Sequence, residues 1–172
     1  MALDYGSNQD KRTGVILVPF LIFLFGAALG VASKLLDIYT SNLGNIFSQM
    51  SIWILLGTLI AIFSKTKGKA ALNVFVFCIE MLITYYITAE LTNNVYGMTF
   101  IYGWAAFSVC SPVFAILTWM TKEKGLLGKI ISFGILVVTL TVSLVVFDGP
   151  RVYDIVIMLA LAYFLFIHKV KR

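Results

Sequence analysis

Glu80 is the residue in this sequence with the sharpest chemical demand. It stands in the middle of Ala70–Thr92, AALNVFVFCIEMLITYYITAELT, an otherwise apolar stretch. A carboxylate near the centre of a bilayer costs about 3 kcal/mol on insertion-based scales, so a chain that keeps one turns it toward a partner, a cavity or a ligand. At helical spacing Glu80 shares a face with Asn73, Phe77, Thr84 and Thr88. A polar stripe of that kind is expected to face other helices rather than lipid. The carboxylate could contact a cationic ligand, carry a proton, or hydrogen-bond to a hydroxyl of a neighbouring helix.

Two further groups of charges have helical spacing. Lys34 and Asp37 stand three apart in Ser33-Lys34-Leu35-Leu36-Asp37, and Asp148, Arg151 and Asp154 stand three apart again. They could form charged rims around a solute pocket, or pair with one another and with headgroups at span ends. Other catalytic sets are missing. His168 is the single histidine and sits in a basic tail, and no glycine-rich phosphate loop is present. Cys78 and Cys110 share no metal-type spacing and read as free thiols buried in spans. The expectation is a chain that is not an enzyme and holds no metal or cofactor.

The elements that carry these residues are membrane spans. The 172 residues are 60% hydrophobic and only 12% charged, against about 25% charged in soluble domains. The apolar residues come in blocks. Six are expected to span: 14–36, 46–64, 70–92, 95–120, 126–147 and 152–167, each near the roughly 20 residues that a 30 Å hydrocarbon core requires. Gly30-Val31-Ala32 could pass for a cleavage site, but the apolar run before it is too long for a signal peptide and reads as a retained first span. The fold expected is therefore all-α, a single polytopic domain in the lipid bilayer.

Charge sets the expected orientation. Lys11 and Arg12, then Lys65, Lys67 and Lys69, then Lys122, Lys124 and Lys129, then Lys169, Lys171 and Arg172 alternate with the spans so as to share one side. That is eleven of the thirteen basic residues, with only Lys34 and Arg151 opposite. Both termini are then cytoplasmic in a cell membrane. The net charge of +5 is spent on topology, and no basic, aromatic-interleaved surface offers itself to a nucleic acid. Lys34 opposes the pattern, so something is expected to pair with it. Tyr39, Tyr85, Tyr86, Tyr96, Tyr102, Trp53 and Tyr153, most of the tyrosines and tryptophans, lie at the depth of the opposite, acidic side, a lopsided belt that suggests an outward pocket lined with rings.

The residues expected to bind a small organic, preferably cationic, solute are Glu80 as the deep contact, with Trp53, Tyr85, Tyr86, Tyr102 and Trp104 as stacking surface. Lys34, Asp37, Glu90, Arg151 and Asp154 form the expected rim. Gly26-x-x-x-Gly30 and Ala28-x-x-x-Ala32 in the first span permit close helix approach, within the bundle or to another subunit. The alternative is an accessory or assembly membrane protein whose polar residues only hold the bundle together.

The plan as a whole resembles the substrate-binding S component of energy-coupling-factor vitamin transporters, six-span proteins with an outward solute pocket. That resemblance implies docking on a partner membrane subunit through Ala28 and Ala32, and a separate ATPase module, since no ATP site exists in this chain. The stretch from Gly30 to Glu90, with Ser33-Lys34-Leu35-Leu36-Asp37, Trp53-Ile54-Leu55-Leu56-Gly57 and Tyr85-Tyr86, is also similar to small bacterial membrane proteins of an uncharacterised family; this implies a fold and no activity. Asp148-Gly149-Pro150-Arg151 begins like the aspartate signature of CDP-alcohol phosphotransferases, but the second half that would hold metals is absent. Pro150 reads instead as the first position of a helix.

Overall fold

The computed structural model describes residues 5–40, 44, 46–47, 49–94, 97–145 and 151–170, with side-chain surroundings from Leu17 onward. Asp148 and Pro150, and with them the turn expected there, lie outside the described residues. Six α-helices have both ends among the described residues: α1 (Tyr5–Tyr39), α2 (Met50–Phe63), α3 (Lys67–Leu91), α4 (Met98–Met120), α5 (Leu126–Val145) and α6 (Val152–Ala162). A π-helical turn, Tyr163–Ile167, continues α6. No strand occurs among the described residues. Among the described residues four segments are long and apolar enough to cross a membrane: Leu17–Tyr39, Lys67–Leu91, Ile101–Met120 and Leu126–Val145. Met50–Phe63 and Val152–Ile167 are shorter apolar helices.

Burial follows the logic of lipid as solvent. Large apolar side chains such as Leu21, Phe63, Leu72, Ile87, Val113, Phe133 and Leu159 cover the outside. Small hydroxyls fill the inside: Ser33, Thr58, Ser108, Ser111, Ser132, Thr139 and Ser143 are buried. Small residues let helix backbones approach where no hydrophobic effect drives them together. Most of these hydroxyls donate to a carbonyl three or four residues earlier in their own helix, as Ser132 Oγ does to Gly128 O at 2.8 Å and Thr139 Oγ1 to Ile135 O at 2.8 Å. An apolar cluster of Trp53, Ala61, Val74, Phe77, Met81 and Ala115 joins α2, α3 and α4.

The pairing of α1 with α3 positions the polar residues. Gly26 faces Phe77, and Gly30 faces Met81, Thr84 and Tyr85, so the two helices run parallel. A Cβ on Gly26 would meet Phe77 O at 2.9 Å, and one on Gly30 would collide with Thr84 Oγ1 and Met81 O. Parallel neighbours need a returning element between them, and α2 supplies it. Ala28 lies on the far face of α1, exposed, and Ala32 is half-buried.

Ion pairs and caps tie the helix ends. Lys67 Nζ meets Glu123 at 3.0 Å and lies over the Trp119 ring, whose Nε1 donates to Ser64 O at 2.9 Å. Thr66 Oγ1 caps α3 by accepting from Lys69 N. Lys122 Nζ donates to Phe164 O, to Leu165 O at 3.1 Å and to His168 O at 2.7 Å. A cation there complements the carbonyls that the end of a helix leaves free. In α4, Pro112 deprives Ser108 O of its usual donor, and Ser111 Oγ donates to that carbonyl at 2.7 Å.

Candidate functional site

The polar residues gather at the end of α1 and α3. Lys34 lies one turn past Gly30, and the glycine contacts bring it against α3 with 2% of its side chain exposed. Its Nζ donates to Asp37 Oδ2 at 2.9 Å and to Asn94 Oδ1 at 2.7 Å. It also lies 5.1 Å from the centroid of the Tyr85 ring. Tyr85 OH donates to the same Asp37 oxygen at 3.2 Å, and Tyr86 stands edge-on to Tyr85 with centroids 5.3 Å apart. A buried ammonium is tolerated only when charge and hydrogen bonds are returned to it. Here a carboxylate, an amide oxygen and a ring do so. The partner expected for Lys34 is thus supplied from within the chain.

Asn94 reaches the ammonium because of how α3 ends. Asn93 takes a positive φ of 51°, the left-handed conformation that asparagine accepts more readily than most residues. Asn93 N then donates to Glu90 O at 3.1 Å and Asn94 N to Ala89 O at 3.0 Å, which turns the chain back toward α1. Sequence reasoning passed over Asn94. The signal was the Asn93-Asn94 pair directly after an apolar helix, a C-cap composition.

Asp37 remains partly open. Its side chain is 34% exposed, and Oδ2 receives both donors while no described residue donates to Oδ1. Chemically the cluster offers a fixed carboxylate oxygen beside two tyrosine rings, backed by a cation that holds the carboxylate in place.

A second polar knot forms at the start of α2 and α6. Asp154 is fully buried; it accepts from Ser51 Oγ at 2.5 Å and from the Arg151 backbone N–H at 3.0 Å. The surroundings of Gln49 require the amide orientation in which its nitrogen donates to both Asp154 oxygens at 2.9 Å and its oxygen accepts from Tyr153 OH at 3.0 Å. Every oxygen of Asp154 is therefore engaged. Arg151 itself is exposed, its Nη1 donating to Tyr153 OH at 2.9 Å.

The remaining residues of the expected site are not drawn into one pocket. Trp53 is 4% exposed in the core, with its ring against Phe77 and its Nε1 donating to Phe47 O at 2.8 Å. Trp104 is half-buried edge-on to Phe107, Tyr102 is 71% exposed, and Glu90 is exposed at the end of α3. Glu80 shares the α1–α3 seam: its Cβ lies 3.5 Å from where a Cβ on Gly26 would be. Five residues separate it from Tyr85, which places the two side chains about 140° apart around the helix. Glu80 is half-buried, and among the described residues nothing donates to its carboxylate. Thr84 and Thr88 do not serve it, because their hydroxyls donate to Glu80 O and Thr84 O, both at about four-residue reach, at 2.8 and 2.7 Å.

Among the described residues no group of three His, Cys, Asp or Glu could hold a metal ion. Cys78 is buried and free, whereas Cys110 is free but exposed on α4, which corrects the expectation of two buried thiols. Comparison with family models, with curated proteins and with solved structures returns no match. The case for function therefore rests on the chain's own geometry.

Proposed function

We propose that this chain is a solute-binding protein of the cell membrane, crossing it six times with both termini cytoplasmic, and that its solute contacts Asp37 beside the Tyr85–Tyr86 ring pair. The observation that carries this is the partly exposed Asp37, whose Oδ1 receives no donor among the described residues and whose Oδ2 is held by a buried lysine at the end of the α1–α3 pair. The solute class is a small organic molecule bearing an ammonium group or another strong donor, with a face that stacks on a tyrosine ring. The six crossings are supported by the parallel run of α1 and α3, which requires α2 to return between them. The 14 residues of α2 rise about 21 Å, so local thinning of the bilayer accompanies that crossing. As the specificity subunit of an importer, the chain would depend on a partner membrane subunit and an ATPase module for energy.

The test uses purified protein in nanodiscs and a panel of small organic cations and zwitterions, read by calorimetry. Saturable binding is expected for at least one member, and its loss in the Lys34→Met/Asp37→Asn pair of substitutions. That pair removes both charges together and leaves no lone ion in the bundle. Folded protein that binds no member of the panel favours the second function, an accessory or assembly membrane protein. Asp154 and Trp53 favour it already, since their polar atoms are spent within the bundle.

A further inference from the structure

We infer that Glu80 is the contact point for a transmembrane helix of another protein that carries a lysine or arginine at mid-membrane depth. Glu80 lies thirteen residues after Lys67 and eleven before Leu91, near the middle of a segment long enough to span. Glu80 is half-buried, and its carboxylate has no hydrogen bond or ion pair among the described residues. Helical geometry puts it at the boundary of the buried face of α3, with Asn73 and Phe77 buried on one side of it and Ile87 and Ile83, 52% and 47% exposed, on the other. The carboxylate therefore opens onto the outer surface of the bundle, at the edge of the α1–α3 seam. A cation on an approaching helix returns the charge and hydrogen bonds that lipid cannot give.

The occupant is not a second copy of this chain. No Lys or Arg occurs at 13–33, 35–64, 70–121, 130–150 or 152–168, so none of these spans has a cation in its middle to offer. Lys34 is buried and already engaged. Two copies meeting at this face would bring two carboxylates together. The inference is independent of the solute site, since Glu80 and Tyr85 point about 140° apart.

The experiment places the protein in lipid nanodiscs with labelled polyleucine transmembrane peptides. One peptide carries a central lysine, one a terminal lysine, and one none. Association by energy transfer is expected to be roughly tenfold stronger for the central lysine than for the other two. Glu80→Gln should reduce it to the level of the plain peptide, with unchanged helicity. Equal association of all three peptides to the wild-type protein overturns the inference without need of any variant. So does self-association of the protein that Glu80→Gln abolishes, and so does loss of solute binding in Glu80→Gln with peptide binding intact.

Discussion

At the residue scale the decisive feature is asymmetry within an ion pair. Lys34 is buried, whereas Asp37 is a third exposed. Removing Asp37 strands an ammonium inside the bundle; removing Lys34 leaves a carboxylate that water or headgroups can reach. Asp37→Asn is expected to destabilise by about 3 kcal/mol and Lys34→Met by about 1 kcal/mol, with the double substitution close to the milder single one. Reversible unfolding in mixed micelles measures all three. A larger loss for Lys34→Met than for Asp37→Asn contradicts this account. The pairing of Lys34 with Asp37 was legible from their spacing, and Tyr85 was legible as a ring at the same depth. The convergence of the three was not, because it depends on the register of α1 against α3, which two glycines set. Asp154 looked like a rim residue by its position at a helix start; its burial depends on Gln49 and Ser51, more than a hundred residues away.

At the scale of single helices, the two small-residue pairs of α1 have opposite fates. Gly30→Ala is expected to cost about 2 to 3 kcal/mol, since the new methyl group meets the Met81 carbonyl and the Tyr85 backbone nitrogen as well as the Thr84 hydroxyl, and the backbone atoms cannot turn aside. Ala28→Leu, on the exposed face, should stay within about 0.5 kcal/mol in a detergent melt. A reversed order would mean that α1 and α3 do not meet through the glycines. In α4 the hydroxyl of Ser111 substitutes for a missing amide. Ser111→Ala should destabilise by about 1 to 2 kcal/mol, and adding Pro112→Ala should recover most of it by restoring the amide donor to Ser108 O. Hydropathy located each of the helices α1 to α6. It set α1 at 14–36, whereas the helix runs Tyr5–Tyr39, because a helix does not stop where its apolar face stops. It set the second at 46–64 where α2 is Met50–Phe63. The π turn after α6 has no local marker, since Lys122, which binds its carbonyls, lies over forty residues earlier.

At the scale of the whole molecule, charge and contacts divide the chain between two ends. Lys67, Glu123 and Lys122 bind at one end, and Lys34, Asp37 and Asn94 at the other. In sealed, inside-out-sorted vesicles, single cysteines replacing Lys65 or Lys124 should react with an impermeant maleimide only from the cytoplasmic face. Cysteines replacing Glu90 or Arg151 should react only from the other. Labelling of Lys124→Cys and Glu90→Cys from the same face would remove the six-crossing arrangement. The all-helical plan was readable from the blocks of apolar residues; which helix touches which was not, since apolar helices of similar character admit many packings. The parallel pairing of α1 with α3 has one more consequence, for the order of synthesis. The ammonium of Lys34 waits for Asn94, sixty residues downstream. At ribosomal rates that interval is about 3 to 12 s. During it the glycine face of the first helix still lacks the third helix that covers it.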